Sequence, residues 1–458
     1  MKQKFSNEYY LEDAPITNAI AHLSIPMMIG MSVGTVYNVI NAFFIGLLKN
    51  TDMLTAITLG LPIFTILMAF GNMLGAGGGT FITRLVAKQD TEKARKVAGY
   101  TFYSSIIIGI LLGLILILAI TPIVKIMGAD TSAIINYTKR YSLTMFIGGF
   151  AIIMNFALEQ VVRAEGASKE SMYGMVVSTV FSLIFDPLLI LVFKFNVVGV
   201  ALSMILANIA SSSYYVYYLE TKSDNLKGFI KNFNISLKDK LEIYKIGVSE
   251  LFLAGFLIVT TLLLNNYSIR YGESVVASFG IALRIVQVPE FLAMGLALGI
   301  IPLIAYNFSN ENYKRLKDSI KQSALWILGL SGGVVTIVYI FRNVIIHLFS
   351  NDAAVLSVGV YIMAAMLISA LFNGFTTLFI GIFQASGQGT PSTIMSITQG
   401  ILFIPVIIVM NKFFGLHGVI WSMTITEIIT FLTGVVLYII FNNKLKNNKL
   451  NNNQVVAS

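Results

Sequence analysis

Long runs of apolar residues, separated by short polar segments, occupy almost the whole chain. A helix needs about 20 mainly apolar residues to cross the hydrocarbon core of a bilayer, and the runs predict twelve such helices. Glycines and prolines inside the runs are compatible with helices, because neighbouring helices can satisfy the freed backbone groups. The predicted spans are residues 17–46, 54–80, 97–121, 138–161, 172–194, 197–219, 246–268, 275–306, 320–341, 354–381, 392–411 and 415–441.

The composition excludes a water-soluble protein. Of 458 residues, 56% are hydrophobic and 12% are charged, and the mean hydropathy is +0.80, whereas soluble domains carry about 25% charged residues. The chain has no cysteine, so it offers neither a disulfide nor a thiolate metal site. We also expect no other metal site and no cofactor apart from a coupling ion. The first apolar run is too long for the core of a signal peptide and is interpreted as a retained helix.

The net charge of +9 does not indicate nucleic-acid binding. The basic residues lie in short loops between apolar runs, as expected for a membrane protein. Most of them fall on one side of the predicted membrane, where cytoplasmic loops collect Lys and Arg. The sequence therefore predicts a multi-pass membrane protein with both termini in the cytoplasm and no nucleic-acid partner. The abundance of Asn, Lys and Ile indicates a bacterial source, so the predicted location is a bacterial cytoplasmic membrane. The segments on that side are residues 84–96, 222–245, 314–321 and 444–449.

The two halves of the chain resemble each other. Phe185-Asp-Pro187 is echoed by Phe403-Ile-Pro405, and residues 163–166 (RAEG) by residues 384–387 (QASG). Each half contains six predicted spans, so the halves would be parallel repeats related by an axis along the membrane normal; chance similarity between apolar helices is the alternative. The predicted divisions are an N-terminal lobe (1–221), a cytoplasmic linker (222–245), a C-terminal lobe (246–441) and a polar disordered tail (442–458).

Two carboxylates lie deep in predicted spans, where an ionisable residue is costly and usually functional. Asp186 precedes Pro187, and Glu290 follows Pro289. Each proline leaves a helix carbonyl without its donor. A carboxylate beside such a bend could bind a proton or a small cation. The alternative is that each carboxylate is a buried structural anchor.

Glu290 shares a helix face with Gln287 and Met294, at i−3 and i+4. A face that is acidic, polar and polarisable suits a lipophilic cation, so these three residues are predicted to bind substrate. Other charged residues are weaker candidates. Glu159, Arg163 and Glu250 are expected to reach water near helix ends, and no partner for Glu427 is evident.

Several motifs together resemble the MATE (multidrug and toxic compound extrusion) family. Residues 36–46 (VYNVINAFFIG) are similar to its first-helix LYNxVDxxFIG, residues 163–166 to its RAxG, and residues 182–187 (SLIFDP) to its NxxLDP. Residues 282–290 look closest to the MepA-like multidrug exporters of that family. The resemblance covers essentially the whole chain.

The resemblance implies an antiporter rather than an enzyme. Two six-helix lobes around a central cleft would export lipophilic, often cationic drugs against entry of H⁺ or Na⁺, as a monomer surrounded by membrane lipids. Tyr37 and Asn38 of the first-helix motif join the predicted substrate-binding residues.

The positions that hold the coupling cation in many relatives differ here. A first-helix Asp, a fifth-helix Asn and Asp, and a sixth-helix Thr correspond to Asn41, Ser182, Asp186 and Met204. Na⁺ prefers several hard oxygen ligands, whereas a proton needs one suitable carboxylate. This favours H⁺ coupling through Asp186, with Na⁺ as the alternative because Asn41 and Ser182 still offer oxygens.

Two rival functions stay open from the sequence alone. A lipid-linked oligosaccharide flippase of the same superfamily would more often have about fourteen helices and a strongly basic cleft, while Arg284 is the one deep basic residue here. A channel or a membrane-embedded enzyme would show a repeated charge ring or clustered catalytic side chains.

Overall fold

The computed structural model describes residues 6–46, 50–350 and 352–456, with the side chains of 35–39, 42–43 and 447–456 outside the description. The described residues form α-helices joined by short turns and contain no strand. The helices are α1 (Asn7–Glu12), α2 (Ile16–Gly46), α3 (Thr51–Ala87), α4 (Thr91–Leu118), α5 (Ile120–Ile126), α6 (Ser132–Ala164), α7 (Ser168–Pro187), α8 (Asn196–Thr221), α9 (Leu237–Ile269), α10 (Glu273–Ser309), α11 (Tyr313–Phe349), α12 (Ala353–Ala385) and α13 (Gly389–Val456).

The prediction of an all-α membrane protein with twelve spans is confirmed. Among the described residues, eleven helices are long and apolar enough to cross a membrane. The last of these, α13, is broken at Gly415, where φ is 56° and ψ is −132°. A Cβ on Gly418 would lie 1.9 Å from the carbonyl oxygen of Met410, although these residues would be about 12 Å apart in a straight helix. The chain therefore reverses here, and α13 supplies the eleventh and twelfth spans.

Large apolar side chains cover the outer surface of the bundle. Leu118, Leu114 and Ile115 of α4 are examples, at 89%, 56% and 62% exposure. Between the helices lie small residues, which allow helix backbones to approach closely in a bilayer. Large apolar side chains outside and small residues between helices are typical of a protein that is surrounded by lipid.

The glycine run at residues 75–79 illustrates this packing. A Cβ on Gly77 would lie 2.0 Å from the carbonyl oxygen of Ile243 in α9, and one on Gly79 would lie 3.0 Å from that of Gln160 in α6. The run lies inside α3. The run therefore serves the close packing of α3 against α6 and α9.

The chain divides into two compact units. The first unit contains residues 1–255, 295–323 and 384–389, and the second contains residues 256–294, 324–383 and 390–458. The first unit thus takes in one end of α9, α10, α11 and α12 from the second half of the sequence. The proposed lobe boundaries at 221 and 246 stay predictions.

Two predicted boundaries differ from the helix bounds. α9 begins at Leu237, so residues 237–245 of the proposed linker are its first turns. α13 continues to Val456, through residues 442–456 of the proposed disordered tail.

Candidate functional site

In the first unit, Asp186 lies at the end of α7 and is fully buried. Ser182, at 4% exposure, is four residues earlier and therefore on the same helix face. After Pro187 the backbone widens into a π-helical turn, Leu188–Val192, in which the amide of Phe193 donates to the carbonyl of Leu188 at 2.9 Å. A π-turn is rare and is often found at functional sites.

Counting along the two helices places Asn41 of α2 at about the depth of Asp186. The two helices touch near Gly30, where a Cβ would lie 2.6 Å from the sulfur of Met175. As the first and fifth spans they run in the same direction, and Asn41 and Asp186 each follow that contact by eleven residues. The buried Oδ1 of Asn41 accepts no hydrogen bond from the described residues, so it is available to a ligand.

Met204 of α8 corresponds to the fourth position that holds the coupling cation in many relatives, after Asn41, Ser182 and Asp186. Its sulfur accepts a weak hydrogen bond from the hydroxyl of Tyr141 at 3.9 Å, and Tyr141 is fully buried. Met204 is thus engaged with α6 rather than offering an oxygen. The side chains of Tyr37 and Asn38 lie outside the described residues, so their predicted role in substrate binding stays a prediction.

In the second unit, Glu290 lies in the middle of α10 and is half-buried. It forms no hydrogen bond or ion pair with the described residues, and another carboxylate, Glu427, lies within electrostatic reach of it. Gln287 is exposed and Met294 is half-buried. Arg284 is also exposed and forms no ion pair in the described part of the chain. Glu290 is therefore a carboxyl group for which the described residues supply no cationic partner.

Glu427 of α13 is held by a polar network that sequence reasoning missed. Its two carboxylate oxygens accept from Gln399 Nε2 at 2.6 Å, from Asn373 Nδ2 at 3.3 Å and from Thr376 Oγ1 at 3.3 Å. The partners lie 28 to 54 residues away along the chain, so no local sequence motif predicts them. The pairing becomes visible only when α12 and α13 are packed.

An aromatic ladder continues from this network along α12 and α13. Neighbouring ring centroids are 5.4 to 6.4 Å apart, and Phe431 lies one turn beyond Glu427. All of the rings except the buried Phe441 are half-buried. Such rings next to carboxylates form an environment that suits a flat, lipophilic cation. The ladder consists of Phe372, Phe375, Phe379, Phe431, Tyr438 and Phe441.

A buried charged cluster in the first unit corrects one expectation. Glu159 and Arg163 do not reach water: they are 6% and 3% exposed and form an ion pair at 3.3 Å. Glu250 lies within electrostatic reach of Arg163 and accepts from Gln384 Nε2 at 2.7 Å. For Glu250 the expectation failed because α9 begins at Leu237, well before its apolar run, which places Glu250 inside the helix rather than at its end.

The part of the chain that the structure describes contains no group of side chains that could bind a metal ion. No three His, Asp or Glu side chains there come together as a metal ion would require. The arrangement can instead exchange protons or monovalent cations at buried carboxyl groups and can attract cationic molecules.

A family profile described as MatE matches this chain twice, at residues 26–188 and 246–409. The two matched segments begin 220 residues apart, which agrees with the offset of the internal repeat. The multidrug export protein MepA of Staphylococcus aureus (strain NCTC 8325) is 39% identical over 443 residues, covering 95% of this chain and 96% of that protein. MepA of Staphylococcus saprophyticus is 37% identical over 437 residues, covering 95% and 96%.

Solved structures of similar fold are transporters. The outward-facing conformation of a multidrug resistance MATE family transporter of the MOP superfamily superimposes with a TM-score of 0.89 at 24% identity, covering 97% of this chain and 100% of that one. A MOP superfamily transporter from Pyrococcus furiosus gives a TM-score of 0.90 at 24% identity with the same coverage. At this identity the likeness establishes the fold.

Proposed function

Because the chain belongs to the MATE family, whose members are membrane transporters and not enzymes, we propose that it exports lipophilic, often cationic drugs in exchange for an inward-moving cation. H⁺ is the favoured coupling ion and Na⁺ the alternative. The transporter would act as a monomer in the cytoplasmic membrane with both termini in the cytoplasm. Its similarity to MepA over 95% of its length supports the substrate class.

The observation that carries the coupling proposal is the complete burial of Asp186 beside Pro187 and the π-turn. A charged carboxylate without water is costly, and binding one proton removes that cost. If the two conformations of the transporter solvate Asp186 differently, they bind the proton with different affinity. That difference is the means by which a proton gradient can drive a conformational cycle.

Na⁺ would need more oxygen ligands than this region offers. Ser182 and Asn41 can add two neutral oxygens to the carboxylate, but Met204 presents sulfur where a hydroxyl would complete the set. A soft thioether is a poor ligand for a hard cation. The donor set therefore supports H⁺ more than Na⁺.

Substrate recognition is assigned to the second unit. Glu290, together with Gln287, Met294 and the aromatic ladder, offers a carboxyl group without a cationic partner among the described residues, and a polarisable surface. Adaptable Met and aromatic surfaces accept chemically different ligands, which is what a multidrug exporter requires. Tyr37 and Asn38 of α2 are proposed as further contacts.

The experiment is transport of ethidium by purified protein in liposomes under an imposed pH gradient or Na⁺ gradient alone. Asp186→Asn keeps the side-chain volume but cannot exchange a proton, so it should abolish pH-driven export while equilibrium binding of the drug at neutral pH persists. Asp130→Asn, in an exposed loop, is the matched control. Export by Asp186→Asn at the wild-type rate would refute the assignment, and no transport under either gradient would refute antiport.

A further inference from the structure

The short helix α1 lies against helices from both halves of the sequence, within the first unit. The hydroxyl of Ser6 caps it by accepting from the amide of Tyr9 at 3.2 Å. On the first-half side, the ring of Tyr10 stacks on His22 of α2 at 3.6 Å. Leu11 is 1% exposed and packs against Gly166, where a Cβ would lie 3.3 Å from Leu11 Cγ.

On the second-half side, the last carbonyls of α1 are held by α10 and α11. Asn307 Nδ2 donates to the Leu11 carbonyl at 2.9 Å. Arg315 donates from Nε to the same carbonyl at 3.3 Å and from Nη2 to that of Tyr10 at 3.2 Å. These carbonyls have no partner inside a helix that ends at residue 12, and a cation there also complements the helix dipole.

Tyr306 adds a second attachment from α10. Its hydroxyl lies 3.3 Å from Glu8 Oε1 and 3.2 Å from Glu12 Oε2, which are one turn apart on the same face of α1. Just after α1, Thr17 donates to Gln322 Oε1 of α11 at 2.9 Å. The N-terminal segment is thus tied to the second half along its whole described length.

The spanning helices beneath α1 are also in close contact. Ser24 of α2 is 1% exposed and donates to the Leu296 carbonyl of α10 at 3.1 Å. A Cβ on Gly299 would lie 2.5 Å from the Cα of Ser24, so the two backbones almost touch. This end of the first unit is therefore closed between the two sequence halves, and α1 lies across the junction.

We propose that α1 is a detachable clasp that holds the two sequence halves together at this end and must release before they separate there. A six-residue helix has little stability of its own, so its position depends on its contacts with both halves. Those contacts are hydrogen bonds, one pair of stacked rings and one buried leucine. They can break without unfolding any membrane span, which is the property that a reversible fastening needs.

The test uses the full chain in lipid nanodiscs with Ser24→Cys as reporter. The native chain has no cysteine, so the alkylation rate with N-ethylmaleimide measures opening at the α2–α10 contact alone. Tyr306→Phe and Arg315→Gln remove attachments of α1. The matched controls are Tyr103→Phe and Arg95→Gln, whose side chains donate to the carbonyls of Ile230 at 3.0 Å and Asn225 at 2.9 Å and do not touch α1.

Each clasp variant should raise the alkylation rate about fivefold or more, because losing charged or buried hydrogen bonds shifts the population toward the open state. Each control should stay within about twofold of the parent. Unchanged rates in the clasp variants, or equal increases in the controls, would overturn the proposal. Size-exclusion profiles identify folded protein; if Arg315→Gln does not fold, Tyr306→Phe, which loses one hydroxyl, decides the question.

Discussion

Glu290 and Glu427 are two carboxylates in the same unit with different surroundings. Glu427 accepts three hydrogen bonds, whereas Glu290 accepts none from the described residues and is partly accessible. A carboxylate that the protein already satisfies is suited to a structural role. One that is left unsatisfied is suited to binding a cation from outside the protein.

Glu290→Gln should therefore reduce export of dications more than export of monocations or neutral compounds. The lost charge removes more attraction from the more highly charged ligand, and we expect about a tenfold loss in efficiency for dications, equivalent to about 1.4 kcal/mol. Initial rates for a matched series of drugs in liposomes measure this. Equal losses for all three classes would contradict a charge-recognition role.

Glu427→Gln provides the contrasting variant. The new amide presents a donor where Gln399 or Asn373 also donates, so at least one buried hydrogen bond is lost, at a cost of about 1–3 kcal/mol. We expect a thermal midpoint several degrees lower, with substrate preference unchanged. A midpoint equal to that of the parent would show that the network contributes nothing to stability.

Glu165, in the turn between α6 and α7, should make stability depend on pH. Burial raises the pKa of its carboxyl from the ordinary 4.5 to about 7, although the hydroxyl of Ser223 donates to it at 2.7 Å. The folded protein therefore keeps a proton that the unfolded chain releases, and stability falls as pH rises from about 4.5 to above 7.

The measurement is the thermal midpoint between pH 5 and pH 8. It should fall by several degrees over this range, and Glu165→Gln should flatten the dependence because its amide cannot titrate. Glu220→Gln is the control, since Glu220 is a nearby carboxylate that accepts from the amides of Gly228 and Ile230. The same slope in the Glu165 variant as in the parent would refute the assignment.

At the scale of elements, helix positions follow from the sequence, but helix lengths and partners do not. Twelve apolar runs correctly predict the spans because lipid demands a fixed apolar length. The first turns of α9, from Leu237 to residue 245, are polar and precede the membrane span. The apolar pattern therefore does not predict them. Their effect was to move Glu250 from an expected helix end into a buried cluster with Gln384.

The glycine run of α3 allows an element-scale prediction. In Gly77→Ala, the new methyl would lie 2.0 Å from the Ile243 carbonyl oxygen, so α3 and α9 must move apart. We expect a loss of about 1–3 kcal/mol, as for other overpacked sites, and a lower thermal midpoint. Gly255→Ala in α9 is the control, because no atom lies within 4 Å of its Cβ position and alanine favours the helix. Equal effects of both substitutions would contradict the steric argument.

At the scale of the whole molecule, the internal repeat was visible in short echoes such as residues 185–187 and 403–405, and the double family match confirms it. The compact units do not coincide with the repeats, because the first unit gathers the ends of four second-half helices. Those ends pack by contacts between residues far apart in sequence, such as Ser24 with Leu296. A repeat can be recognised from the sequence. Contacts between distant residues that close one end of the first unit depend on the conformation and cannot.

Orientation in the membrane is a prediction for the whole molecule that rests on charge alone. Lys88 and Lys222 lie in or next to basic loops and are exposed, while Asp130 and Arg270 are exposed in turns at the opposite ends of their helices. Basic loops stay in the cytoplasm because translocating them is unfavourable. Cysteines placed at Asp130 and Arg270 should therefore react with an impermeant maleimide in intact cells, and cysteines at Lys88 and Lys222 only after permeabilisation. Since the native chain has no cysteine, all labelling comes from the introduced site. Labelling of Lys88→Cys from outside intact cells would invert the topology, and the end that α1 closes would then face away from the cytoplasm.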